Sequence, residues 1–197
     1  MIAVVAAVTL TFVPYSWVAA QGAGAALADP QVFVKDATAQ PGVGQEGIDH
    51  DAGLRPAQVS ADPPTMPLFN ARGAPLGVTI GQWMSAGGTL VIEPINASAQ
   101  QVSISLHGLS RYGVYSVFVN RTPDSPGSDL PLDGAGTGNS VVADAGGTAR
   151  VMLLVTPPLT TGSLITVVFH SDGASHAMSP GAPGVTAHVQ LAATVKL

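Results

Sequence analysis

The chain has 197 residues, of which 46% are apolar and 10% charged, and its formal net charge is −5. The apolar fraction predicts a buried core rather than wholesale disorder. The acidic balance and the scattered arginines exclude nucleic-acid binding, because neutralising phosphates requires clustered basic side chains. There is no cysteine, which excludes disulfides, thiol catalysis and thiolate metal sites.

The N-terminal segment has the pattern of a signal peptide. No charged side chain precedes Asp29, and residues 2–13 form a predominantly apolar run. Ala26-Leu27-Ala28 then supplies the A-x-A pattern of a cleavage site. We expect a signal peptide over residues 1–28 and a secreted or extracytoplasmic protein. Cleavage after Ala20 is one alternative, and a retained segment that contacts the membrane is another.

Residues 29–66 have the composition of a linker. Six acids lie there against two basic side chains, Lys35 and Arg55, and Pro63-Pro64 stands near the end. Apolar periodicity is absent apart from the run 32–34. A segment of this kind buries too little apolar surface to offset its ordering entropy. We therefore expect an acidic, Pro- and Gly-containing linker, with one edge strand at 31–34 as an alternative, in which residues 35–66 are flexible and can be removed without large loss of stability.

The pattern changes over residues 67–197 to short alternating runs separated by turn residues. The separations are too short for crossover helices, so the strands are expected to pair antiparallel. The prediction is an all-β domain, an antiparallel immunoglobulin-like β-sandwich of about eight strands. The predicted strands are 76–80, 89–93, 102–107, 112–119, 141–142, 149–156, 163–170 and 185–195.

The last predicted strand alternates apolar and polar side chains. Val189 and Leu191 fall on one face of this alternation, and His188 and Gln190 fall on the other. We expect the first pair in the core and the second on a solvated face. By this interpretation an aspartate at position 189 prevents folding, whereas an aspartate at position 190 is tolerated.

Several stretches resemble exported bacterial and archaeal β-sandwich modules of unassigned function. They are Leu76-Gly77-Val78-Thr79-Ile80-Gly81-Gln82-Trp83, the run 102–109 ending in Gly108-Leu109, the run 113–118, and the segments 143–149 and 170–176. The resemblance covers roughly residues 68–197. It implies the sandwich fold and an extracytoplasmic location, and it carries no catalytic assignment.

Three histidines near the C-terminus form a candidate metal site. His170 ends one predicted strand, His176 follows in a loop, and His188 enters the next strand. If these strands pair, the three imidazoles converge at one end of the sandwich, with Asp172 as a fourth ligand. Such a set suits a Zn or Cu cofactor. The alternative is that these side chains hydrogen-bond backbone groups of an irregular loop.

Signatures of catalysis are missing from the sequence. There is no G-x-S-x-G, no H-E-x-x-H and no Walker loop, and Glu93 is the only glutamate after residue 66. The sequence therefore favours a non-enzymatic surface, interaction or assembly module that binds a cell-surface or protein partner or itself. A metal-binding protein is the first alternative, and an uncharacterised hydrolase is the second.

Overall fold

Short strands separated by turns make up most of the protein, in a computed structural model that describes residues 6–19, 27–121 and 129–197. The described helices are too short to span a bilayer. The strands are β1 Val8–Pro14, β2 Ala28–Lys35, β3 Gly42–Val43, β4 Asp49–His50, β5 Leu54–Gln58, β6 Pro67–Phe69, β7 Pro75–Thr79, β8 Gly87–Asn96, β9 Ala99–His107, β10 Val114–Asn120, β11 Leu130–Pro131, β12 Ser140–Val142, β13 Ala149–Val155, β14 Leu164–His170 and β15 Ala187–Thr194. The helices are α1 Tyr15–Ala19 and α2 Ile80–Met84, with a 3-10 turn at Gln45–Gly47.

Pairing is antiparallel throughout the named strands, as the short connections predicted. The largest sheet runs β11-β10-β14-β15-β1-β8-β9-β13, with β12 also paired to β10. Its two halves enclose one apolar core, to which Leu90 and Ile104 contribute from one half and Val117 and Val167 from the other. The all-β prediction is confirmed, and the eight predicted strands correspond to β7–β10 and β12–β15.

Strand β1 joins the two halves of the largest sheet. Its first residues, from Val8 to Phe12, pair with β8, and its last two, Val13 and Pro14, pair with β15. Phe12 is 3% exposed and belongs to the core. The segment predicted as a signal peptide therefore supplies a core strand of the folded chain. Cleavage after Ala28 stays a prediction, and both Ala20 and Ala26 lie outside the described residues.

The predicted linker at 29–66 is wrong as a description of the structure, because this segment is folded. It contains β2 to β5, and β2 is a central strand of a second sheet with the order β5-β2-β6-β7. Phe33 packs in a small cluster with Ile48 and Leu54, whereas Val32 and Val34 pack on the opposite side, into the main core. The short run 32–34 is continuously apolar because both faces of β2 are buried.

Three acids of this segment, Asp36, Asp51 and Asp62, form ion pairs with arginine. Arg55 lies 3.3 Å from the Asp36 carboxylate and 2.7 Å from that of Asp62, and Arg72 lies 2.8 Å from that of Asp51. These three acids lie just outside the strands, in the turns around the buried strand β2. Net charge and proline content therefore do not predict whether this segment folds, because a few apolar residues in a central strand are enough to make it part of the folded unit.

The predicted faces of the last strand are also wrong, and a bulge in β15 is the reason. Val167 pairs with Leu191 and Val168 pairs with Val189, which leaves Gln190 as the extra residue between them. A bulge resets the alternation of side chains along a strand. Gln190 is consequently 2% exposed, and Val189 packs in an outer cluster with Phe118 and Val168.

Phe33→Ala tests whether the 29–66 segment belongs to the folded unit. Removing a ring that is fully buried should lower the free energy of unfolding by about 3–5 kcal/mol. Gln40→Ala, at an exposed position of the same segment, should change it by less than about 0.5 kcal/mol. Chemical denaturation measures both variants. If both variants changed the free energy of unfolding equally little, the prediction of a flexible linker would be supported instead.

Candidate functional site

His170 lies at the end of β14 on the outer face of its sheet, opposite the core. It is 1% exposed, and its Nε2 lies 2.9 Å from the hydroxyl oxygen of Ser116. Hydroxyl contacts of 2.8 Å continue from Ser116 to Ser140 and from Ser140 to Ser175. Nδ1 of His170 is buried and has no hydrogen-bond partner among the described residues. Burial lowers the pKa of His170 to about 4, so the imidazole is neutral at neutral pH.

His176 and Asp172 lie beside His170, as the sequence predicted. Nε2 of His176 lies 2.8 Å from Oδ2 of Asp172, and the rings of His170 and His176 are 4.9 Å apart at their centroids. Burial acts to raise the pKa of Asp172, but hydrogen bonds from His176 and from the Ala174 amide hold it below its usual value. Three of the four predicted ligands therefore come together at one end of β14.

His188 does not join this group. The register pairs Phe169 with His188 and His170 with Ala187, and neighbouring residues of a strand point to opposite faces. His188 therefore lies on the core side, where Nδ1 donates to the Gln31 carbonyl at 2.8 Å and Nε2 lies 3.0 Å from the Ser171 hydroxyl oxygen. Within the described ranges, no group of three or more metal-binding side chains is placed to hold an ion.

The 2.9 Å contact between Ser116 and His170 has the length of a nucleophile–base pair but lacks the other features of one. Ser116 is fully buried, so a substrate does not reach its hydroxyl in this conformation. Nδ1 of His170, which a carboxylate orients in a catalytic triad, has no such partner in the described part of the chain. The hydrogen-bonded hydroxyls of Ser116, Ser140 and Ser175 instead connect β10, β12 and the 171–186 loop.

A buried carboxylate that the sequence did not single out connects β2 to α2. Asp29 is fully buried and accepts hydrogen bonds from the Trp83 indole N–H and from the Gln31 amide, both at 3.0 Å. Burial raises the pKa of Asp29 to about 6 despite these hydrogen bonds. Because the contact with Trp83 spans 54 residues of sequence, no local signal in the sequence identifies it.

Gln31, which follows in β2, is bonded at both ends of its amide. Its Nε2 donates to Glu46 at 2.7 Å, and its Oε1 accepts from the backbone amide of Val189 at 2.7 Å. Together with the contact of its carbonyl to His188, this places one glutamine at the junction of β2 and β15. Buried polar groups are costly unless they are paired, so this junction favours one arrangement of the two sheets.

A concave surface of about 1030 Å³ lies over β1, β8, β9 and β13. A row of exposed side chains crosses its floor in register, from Thr11 to Thr89, Ser105 and Arg150. Thr148 and Asp144 stand at its rim, where Thr148 donates from its hydroxyl to the Asp144 carboxylate at 2.6 Å. The groove therefore combines a row of hydroxyls and one arginine with apolar lining from residues such as Leu106 and Val142, and it is built on paired strands.

Asp29 should make the stability of the protein depend on pH. Its folded pKa of about 6 lies above the unfolded value of 3.8, so its stabilising contribution is complete below pH 3.8 and is lost as the pH rises through 6. The unfolding free energy of wild type relative to Asp29→Asn should be about 3 kcal/mol larger near pH 3.8 than at pH 7.5. Denaturant unfolding at a series of pH values measures this difference.

Trp83→Phe provides the matching variant. It keeps an aromatic ring in the core but removes the N–H that favours the charged carboxylate, so the pKa of Asp29 should rise further and its stabilising contribution should persist to higher pH. A difference between wild type and Asp29→Asn that is constant with pH would show that Asp29 titrates as it does in the unfolded chain.

The comparisons with known proteins identify no relative. No family model matches the chain, and no curated protein matches it either. The resemblance to exported sandwich modules therefore stays a prediction, and the chain's own geometry is the basis for a function.

Proposed function

We propose that this protein is a non-enzymatic, extracytoplasmic, immunoglobulin-like β-sandwich that assembles with a second copy of itself through strand β13. The observation that carries the proposal is the free edge of this strand. β13 ends the strand order of the largest sheet, and it pairs with β9 along its whole length, from Ala149 to Val155. The apolar run at 2–13 supports the extracytoplasmic location.

The exposed side of β13 is suited to pairing with another strand. Every second residue of an edge strand directs its N–H and C=O away from the sheet. In the described part of the chain, the backbone of β13 makes no hydrogen bond beyond its ladder to β9. Met152 and Leu154 point outward and are 66% and 60% exposed. The strand contains no lysine or proline, the residues that commonly protect such edges.

Self-pairing is favoured over an unrelated partner because the strand is complementary to itself. In an antiparallel pair centred on Met152, the two Met152 side chains meet and Arg150 lies opposite Leu154 of the other copy. The one charge of the strand therefore does not face its own copy. On the core side Val151 lies opposite Leu153, so apolar side chains meet on both faces. Only 10% of the chain's residues are charged, which further reduces repulsion between copies.

Met152→Lys tests this assembly. Two lysines would meet at the centre of the pair, so the variant should remain monomeric at concentrations where the wild type sediments as a dimer. Ser103→Lys is the matched control, because Ser103 lies beside Met152 in register but on the interior strand β9. It should remain dimeric. Sedimentation velocity over a concentration series measures both variants, and a monomeric wild type would contradict the proposal.

Zn or Cu binding remains a second candidate with one specific support. Nδ1 of His170 has no partner among the described residues, and the His170 ring lies 4.9 Å from that of His176, whose orientation is fixed by a hydrogen bond to the Asp172 carboxylate, as is common for metal-binding histidines. Calorimetric titration with Zn²⁺ and Cu²⁺ should then show binding that His176→Gln abolishes and that His107→Gln, at an exposed position elsewhere, leaves intact. Binding that is equal in both variants would remove this candidate.

A further inference from the structure

A smaller pocket of about 360 Å³ lies between α2 and the loop that follows β9. Its apolar walls include Val78, Leu109 and the ring of Tyr115, and the polypeptide around Trp83 closes one side. This volume is within the range of sites for small organic molecules. The pocket shares no lining residue with β13 or with the His170 group, so its function is separate from self-assembly and from metal binding.

The walls of this pocket are fixed before any ligand arrives. The Tyr115 hydroxyl oxygen accepts a hydrogen bond from the Ser110 amide at 2.9 Å, which holds the loop against β10. Gly108 has a φ of +67°, and a Cβ there would lie 2.7 Å from the carbonyl oxygen of Ser85. Only glycine fits this close approach of the loop to the end of α2. A preformed site loses less entropy on binding than one that must be ordered.

Gln190 gives this pocket an unsatisfied hydrogen-bond acceptor. The side chain is 2% exposed, and its Nε2 donates to the carbonyl oxygen of Trp83 at 3.0 Å. Because a carbonyl oxygen only accepts, this contact fixes which end of the amide is oxygen. The remaining atom, Oε1, is buried and has no donor among the described residues. A buried acceptor without a donor is rare in native structures and calls for a partner.

Arg111 supplies positive charge at the mouth of the same pocket. Its side chain is exposed and makes no ion pair or hydrogen bond in the part of the chain that is described. No carboxylate lines the pocket within those residues. In a chain with a net charge of −5, a site whose charge is positive favours an anionic ligand.

We infer that this pocket binds a small organic anion that carries a hydrogen-bond donor. The anionic group pairs with Arg111, the donor reaches Oε1 of Gln190, and the apolar part contacts Val78 and Leu109. An anion without the donor leaves the buried oxygen unpaired, and a neutral molecule with the donor leaves the arginine unused. Each loss should weaken binding by about tenfold or more.

Tryptophan fluorescence reports on this pocket directly. The chain has two tryptophans, and Trp17 is 49% exposed on α1 while Trp83 lines the pocket. In a Trp17→Phe background, titration with 4-hydroxybenzoate should change the Trp83 emission and reach saturation. Benzoate, which lacks the donor, and phenol, which lacks the carboxylate, should each bind about tenfold or more weakly.

Two variants assign the two contacts. Gln190→Leu should remove the preference for 4-hydroxybenzoate over benzoate, and Arg111→Gln should remove the preference over phenol. Arg150→Gln, a cation outside the pocket, should keep both preferences. Arg111 is at the surface, so its variant tests the proposal even if Gln190→Leu fails to fold. The inference would be overturned if millimolar 4-hydroxybenzoate gave no saturable change, or if the preferences survived in the variants. Equal binding of 4-hydroxybenzoate and benzoate by the wild type would also overturn it, because a water molecule rather than the ligand would then satisfy Gln190.

Discussion

The fold depends on one strand that pairs with two partners at once. Strand β1 begins beside β8, ends beside β15, and so connects the two halves that enclose the core. Gly88, which pairs with Phe12 of β1, lies too close to β9 for a side chain, since a Cβ there would lie 2.5 Å from the carbonyl oxygen of Ser105. Pro14 then ends the strand, because it has no N–H to extend the ladder. Removal of residues 1–28 would leave β8 and β15 without their shared neighbour.

A second junction couples the second sheet, β5-β2-β6-β7, to the core. It contains two groups, Asp29 and His188, whose pKa values are shifted in opposite directions. Gln31 touches both, since its backbone amide donates to Asp29 and its carbonyl accepts from His188. Burial lowers the pKa of His188 to about 4, so its contribution to stability is present above pH 6.5 and is lost as the pH falls through 4. Asp29 has the opposite dependence over nearly the same range. Acidification therefore strengthens one side of this junction while it weakens the other.

Local patterns predicted the strands but not the contacts between distant segments. Alternation located β8 and β9 because each buries one row of side chains against the same core. It failed at Gln190, where a bulge shifts the alternation, and at His188, whose face depends on pairing with β14. It failed again around Phe33, where three buried residues outweigh the acidic surroundings. Of the predicted site, His170, Asp172 and His176 meet because one turn connects them, which is information that the local sequence contains.

The free edge of β13 also limits how far assembly can proceed. When two copies pair through the same strand, the contact is isologous and a two-fold axis relates them. Each copy then has this edge occupied, and the other end of the sheet is β11, which has two residues. So short an edge gives a third copy little backbone to bind. In the proposed dimer, the geometry that exposes this edge would therefore also close the complex at two subunits and disfavour open-ended fibres.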